Sequence, residues 1–369
     1  MTDFPTRRGP GGVRKRGVAQ GMAALSPMVA LCAALGACSH SGPGGDEPYR
    51  VTRIFGKQGR GDGEFAFPRA LALDGRGHLY VVDKSGRMQK FTTDGTFVSK
   101  WELPQHGAGK PDGMCCDAQG NLLVADTHYF QVLKYSPEGR LLQHWGGYGD
   151  APGQFCYVTG VAAAPDETLF VSEYGLKDRV QRFRPDGKFL EQFGSSGEGP
   201  GQFQRPMNIA VDSRGEVYVA DAVNHRIQVF SPAGQFVRQW GTVGTGPGQL
   251  RFPYDVKLDT GDNVYVTEYG NHRISKFTRE GHFLCAWGSP GSGRGQLHCP
   301  WGAVVDAAGL VYVADTWNHR IQVFEPRPGV GARVARGPSA PALHWWAVTA
   351  LRGCAAASSP LEVASVGAP

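Results

Sequence analysis

Val217-Tyr-Val-Ala-Asp221-Ala-Val-Asn-His-Arg226-Ile-Gln-Val-Phe230 is the stretch on which the reading of this chain turns. It returns as Val264-Tyr-Val-Thr-Glu268 followed by Asn271-His-Arg273-Ile274, and as Val311-Tyr-Val-Ala-Asp315 followed by Asn318-His-Arg320-Ile321. Fainter copies close their first strand at Asp83, Asp126 and Glu173, and the steps between the six acidic residues are 43, 47, 48, 47 and 47. A fixed period of this size marks a repeat architecture in which each unit buries its apolar face against its neighbours. The fourth unit reads as four strands, Ile209–Asp212, Val217–Ala220, Arg226–Phe230 and Gln235–Trp240. Asp212-Ser-Arg-Gly215 and Ser231-Pro-Ala-Gly234 lie between them, with Asp or Ser first, Pro second and Gly fourth, the positions that suit tight turns. Six four-stranded units predict an all-β chain, a six-bladed β-propeller of antiparallel blades.

The rest of the body fits that expectation. Of 369 residues 53 are Gly and 25 are Pro, a surplus that punctuates many short elements, while 41% apolar residues supply a core. The sixth copy ends after its third strand at Phe324, and Glu-Pro-Arg-Pro-Gly is a poor continuation of a sheet. Arg50-Val-Thr-Arg-Ile-Phe-Gly56 matches Phe236-Val-Arg-Gln-Trp-Gly241, so the N-terminal strand is expected to complete the last blade. The propeller is assigned to residues 49–328. Residues 329–369, rich in Ala, Gly, Pro and Arg, have no period and are expected to be disordered. Their one apolar run, Leu343-His-Trp-Trp-Ala-Val, is too short to cross a bilayer.

Residues 1–37 read as an export signal: a basic start with Arg7, Arg8, Arg14, Lys15 and Arg16, then an apolar stretch from Val18 to Ala37. Leu35-Gly36-Ala37-Cys38 resembles a bacterial lipobox, which implies lipidation of Cys38 and a body anchored to the membrane of the cell envelope, at the outer membrane or cell surface. Residues 38–48 would then be a flexible tether. The formal charge of +5 sits in the two ends of the chain, leaving residues 38–324 at −1. A near-neutral, exported body excludes nucleic acid as a partner held by bulk charge.

Gly-x-Gly-Pro-Gly-Gln-Phe/Leu-x-x-Pro (Gly197–Pro206 and Gly244–Pro253) together with Asn-His-Arg-Ile resembles the NHL repeat, over about residues 50–324. That resemblance implies a propeller serving as a binding module in many members and as an enzyme in a few. In the peptide-amidating lyase of this fold, the channel zinc sits on histidines placed just after the proline that precedes a blade's first strand. This sequence has Arg69, Asp112, Thr159, Met207, Tyr254 and Trp301 there, and no His. No cofactor is expected. Calcium is the one the resemblance leaves open, because Asn208 and Asp255, with Asp112, are the residues a calcium-dependent propeller hydrolase or dehydrogenase could use.

Short turns and long loops fall on opposite faces of a propeller, and long loops on a rigid scaffold are where binding usually lies. The mouth positions differ from blade to blade. Arg69, Asp112, Asn208, Tyr254, Asp255 and Trp301, with Trp317 in an adjoining loop, are therefore the candidate ligand-binding residues. The reading is a monomer whose long-loop face holds a protein, peptide or glycan. The alternative is a propeller enzyme of lyase or calcium-dependent type with its site at the channel mouth.

Three further features are read as structural. Each acidic repeat residue is expected to pair with the Arg that follows (Arg87, Arg179, Arg226, Arg273, Arg320), and Gln131 in the second unit leaves Asp126 without one. His225, His272 and His319 sit roughly 14 Å from the axis, too far apart to share a zinc, and are read as surface residues of a repeated loop. Cys115 and Cys116 are adjacent on a strand and must face opposite ways.

Overall fold

A computed structural model describes residues 47–107 and 110–328. The expected signal segment 1–37, Cys38, the expected tether up to Asp46 and the tail 329–369 lie outside the described residues. Six four-stranded antiparallel sheets follow one another along the chain. Blade one is Pro68–Leu73, His78–Asp83, Arg87–Thr92 and Phe97–Glu102. The innermost strands of blades two to six are Gly113–Cys116, Tyr157–Ala163, Pro206–Val211, Pro253–Leu258 and Ala303–Val305. The turns are those read from the repeat: Gly215 N donates to Asp212 O and Gly234 N to Ser231 O.

Closure is by the N-terminus. Tyr49–Phe55 pairs antiparallel with Arg320–Pro326 as the fourth strand of blade six. The third strand runs two residues past the expected stop at Phe324. Glu325 pairs with Arg50 and Pro326 with Tyr49, and Arg327 N donates to Pro48 O. Pro326 is tolerated because it terminates the strand, where its missing N–H costs no ladder bond. The closing strand also reaches blade five. Tyr49 is buried, stacks on Trp287 at 3.8 Å between ring centroids, and shares a hydrogen bond with the Tyr265 hydroxyl.

Alternate side chains of each strand face the two neighbouring blades, so the core lies in the joints. Phe65, Leu71, Val81 and Phe91 pack against Tyr312, Ile321 and Val323 between blades one and six. Cys116 faces the joint with blade one and Cys115 the joint with blade three, as adjacent strand positions require. Burial pushes the Cys115 thiol up to about 12. Around the axis the inner strands approach closely. A Cβ on Gly160 would lie 2.6 Å from Asn208 Oδ1 and 2.7 Å from Ser172 Oγ.

Deleting residues 49–56 should abolish cooperative unfolding and cause aggregation through the bared Arg320–Pro326 edge. Tyr49→Ala should cost about 3–5 kcal/mol in a denaturant titration, the range for a buried aromatic cut to Ala.

Candidate functional site: the channel mouth

The long-loop face is organised by one network per blade. In blade four, Arg226 Nε donates to Asp221 Oδ2 at 2.8 Å. Its remaining nitrogens donate to the carbonyls of Glu198, Gly199 and Gln202 in the Gly-rich loop that leads into the blade. Asp221 in turn accepts from Gln204 N, Asn224 and Gln228. The same acid–arginine pair recurs as Asp83–Arg87, Glu173–Arg179, Glu268–Arg273 and Asp315–Arg320, at 2.6–2.8 Å. Blade two is the exception. Gln131 donates to Asp126 Oδ2 at 3.0 Å, and Asp126 Oδ1 is buried with no partner among the described residues. Burial, weakly opposed by Gln131, pushes this carboxyl up to about 6.

A second device joins consecutive blades. The residue just before the repeat arginine accepts a backbone N–H from the loop entering the next blade. His225 Nδ1 accepts from Phe252 N, His272 Nδ1 from Cys299 N, His319 Nδ1 from Phe67 N, and Asp178 Oδ2 from Arg205 N. The three histidines are therefore half-buried latches between blades and not plain surface residues. The four donors, Phe67, Arg205, Phe252 and Cys299, are themselves in the left-handed region with φ of 47–58°. Each immediately precedes a proline, Pro68, Pro206, Pro253 or Pro300, at the entry to a blade.

On this frame the mouth is an aromatic and guanidinium ring. The Arg69 guanidinium lies 4.1 Å from the centre of the Trp301 ring. Trp301 meets Tyr254 edge-on at 4.8 Å, and Tyr254 stacks on Tyr269 at 4.5 Å. Arg205 bridges onward, 5.9 Å from Tyr254 and 5.1 Å from Tyr174. Tyr174 packs on Tyr157 at 5.1 Å, and Tyr157 on His128 at 5.7 Å. Cation–π and edge-on contacts of this kind hold side chains in place while leaving ring faces for a ligand. Arg69 Nε, Arg205 Nε and Trp301 Nε1 are buried donors with no acceptor among the described residues.

The candidate residues thus divide. Arg69, Tyr254 and Trp301 come together as one arc. Asp112 belongs beside them, but as the buried ion-pair partner of Arg69. Burial raises its carboxyl, while Arg69 and then Arg205 pull it down. Asp255 is buried and engaged, bound by Lys257 Nζ at 2.9 Å and Ala303 N at 2.9 Å. Asn208 is buried, its Oδ1 accepting from Ile209 N. Trp317 is 49% exposed, packs on Phe67 and His298, and reaches Tyr269 at the edge of the arc. Among the described residues no three His, Cys, Asp or Glu side chains converge as a metal site would need. Positional alignment missed Arg205 and Tyr157. The usable signal was that the place two residues before each mouth position also changes from blade to blade: Phe67, Lys110, Tyr157, Arg205, Phe252 and Cys299.

Comparison with known proteins agrees with this architecture. Residues 203–230, 250–277 and 297–324 match the NHL repeat, and 105–173 match the SMP-30/gluconolactonase/LRE-like region. Protein lin-41 of Caenorhabditis elegans is 49% identical over 47 residues, which is 12% of this chain and 4% of that protein. Among solved structures, a gluconolactonase from Xanthomonas campestris is 14% identical with a TM-score of 0.55, over 76% of this chain and 95% of its own. Virginiamycin B lyase from Staphylococcus aureus is 13% identical with a TM-score of 0.52, over 75% and 98%. At these identities the likeness is one of fold. The chain is a six-bladed β-propeller carrying NHL repeats.

Two outcomes follow from the site. Removing one member of a buried ion pair strands the other, so Arg69→Ala or Asp112→Ala should each cost about 3–5 kcal/mol in a denaturant titration. The double change Arg69→Met with Asp112→Leu should recover most of that loss. Asp126 has a folded pKa above its unfolded value, so its charge costs stability above about pH 6 and nothing below the unfolded pKa. Asp126→Asn should therefore raise the melting temperature at pH 8, by the equivalent of about 3 kcal/mol at most, with no gain near pH 4.

Proposed function

We propose that the chain is a binding propeller that holds a peptide, glycan or protein partner at the long-loop mouth, and that the lipobox-like Cys38 tethers it to the cell envelope. The observation that carries the reading is the half-buried ring of Trp301, Tyr254, Tyr174 and Arg205 at the mouth. Aromatic and Arg side chains around a desolvated centre are the residues that dominate recognition. The ring would take a ligand's apolar or sugar surfaces, and the Arg205 guanidinium would orient it. The match of residues 105–173 favours a second reading, a propeller hydrolase, whose cation would need channel carboxylates. Against it, Asp112 is engaged by Arg69, and Asp255 by Lys257 and Ala303 N.

The test is a screen of peptide and glycan arrays with the purified protein, followed by affinity measurement on the hits. Trp301→Ala and Arg205→Ala should each weaken binding about thirtyfold, as loss of an interface anchor does. Arg214→Ala on the opposite face should have no effect. Calcium-dependent turnover of lactone substrates, abolished by Asp255→Asn, would replace this reading by the enzymatic one.

A further inference from the structure

The joint between blades one and two lacks the latch, the arginine and the Gly-rich loop together, whereas the joint between blades two and three lacks the latch alone, with Phe130 in its place. Gly86 stands where the latch would be, so no side chain reaches across. Gln131 replaces the arginine, and residues 103–112 replace the Gly-rich loop whose carbonyls that arginine would bind. What the joint contains instead is a cleft of about 590 Å³.

The charge lining that cleft has one sign. Arg60 comes from the loop entering blade one, Lys84 from the second-to-third-strand loop of the same blade, His106 and Lys110 from the replacement segment, and His128 from blade two. No Asp or Glu lines it. In other joints the cations are consumed by the blade's own acid, as Arg226 is by Asp221. Here Lys84 has only the Phe67 ring, 5.2 Å from its ammonium, and His106 alone lies near a carboxylate, 3.7 Å from the exposed Glu102. His128 is held below the usual imidazole range, first by burial and then by the charges of Lys110 and Arg69. Three permanent cations, Arg60, Lys84 and Lys110, come from three segments and pair with no carboxylate among the described residues, with His106 and His128 beside them, in a body whose net charge is close to zero. Uncompensated like charges cost free energy that an anion would relieve, and charge-assisted hydrogen bonds would hold it.

We propose that the cleft between blades one and two is a binding site for a small polyvalent oxyanion, held by Arg60, Lys84 and Lys110 over the Phe67 and His128 rings. The site adjoins the mouth and shares His128 with its aromatic ring, but it rests on the missing joint devices and on the cations Arg60, Lys84 and Lys110, none of which belongs to that ring. Phosphate and carboxylate groups share the required chemistry, and the two are told apart by titrating the protein with pyrophosphate and with citrate. Calorimetry gives affinity, and the His128 ring resonances report position. Saturable binding of at least one anion is expected, with a shift at His128 and weakening as salt is added. Lys84→Ala and Lys110→Ala should each lower affinity roughly tenfold, the effect of losing one charge-assisted hydrogen bond, without changing the melting temperature. Arg214→Ala and Lys188→Ala, on the short-turn face, should leave affinity unchanged. The proposal is overturned if neither anion shifts His128 at low salt, if the opposite-face variants weaken binding as much, or if a single-stranded RNA binds tightly while both small anions do not.

Discussion

Everything on the long-loop face depends on a guanidinium placed between a carboxylate and a ring of backbone carbonyls. A Gly-rich loop has carbonyls but few side chains with which to satisfy them, and it cannot form a ladder with itself beyond one or two pairings, as at Ser195–Ser196 with Gln202–Phe203. Arginine supplies up to five donors in a fixed fork. Arg226 uses that fork to fold its loop around one buried charge, and Asp221 supplies the opposite charge. The interaction is expensive to desolvate and is stable only because every remaining lone pair is met. That explains why it recurs almost unchanged where the rest of the repeat drifts.

Blade two shows what happens when one member is lost. Without the arginine there is no reason to keep the loop, and the sequence of residues 103–112 does not keep its glycine spacing. The carboxylate has stayed, buried at Asp126 with one oxygen unpartnered. A conflict of this kind between the repeat pattern and local satisfaction is where a protein departs from pure structure. The openings on this face collect at this joint, whereas the axis itself is filled by Arg69, Asp112 and close-packed inner strands.

The fold was legible because it is periodic: strand alternation, turn chemistry and a period of about 47 residues all encode the same blade. The acid–arginine pairs were legible for the same reason, being four to six residues apart in each copy. The mouth was legible only in part. Trp301 and Arg69 could be placed together once the ring was known to close. The pairing of Arg69 with Asp112 could not be read, because it joins neighbouring blades at the axis and depends on how near two inner strands come. Nor could the fate of Asp255, which is decided by Lys257 two residues on and a backbone N–H from blade six. Arg205 was hidden because its direction is set by a positive φ, and periodicity carries no record of φ.

The latches have one more implication. A backbone N–H can donate to Nδ1 of His225 or His272 only while that nitrogen is bare, so each ring must be neutral with its proton on Nε2. Burial, with Arg251 nearby, holds both below the usual imidazole range, and His298 adds to the effect at His272. Their folded pKa is thus below the unfolded one, and their contribution is complete above about pH 6.5 and lost as acid carries the pH down towards the folded values. The joints concerned lie on either side of blade five, the blade that carries Tyr254 and Tyr269. Acidification would therefore slacken the ring unevenly, beginning under the aromatic half of its own mouth.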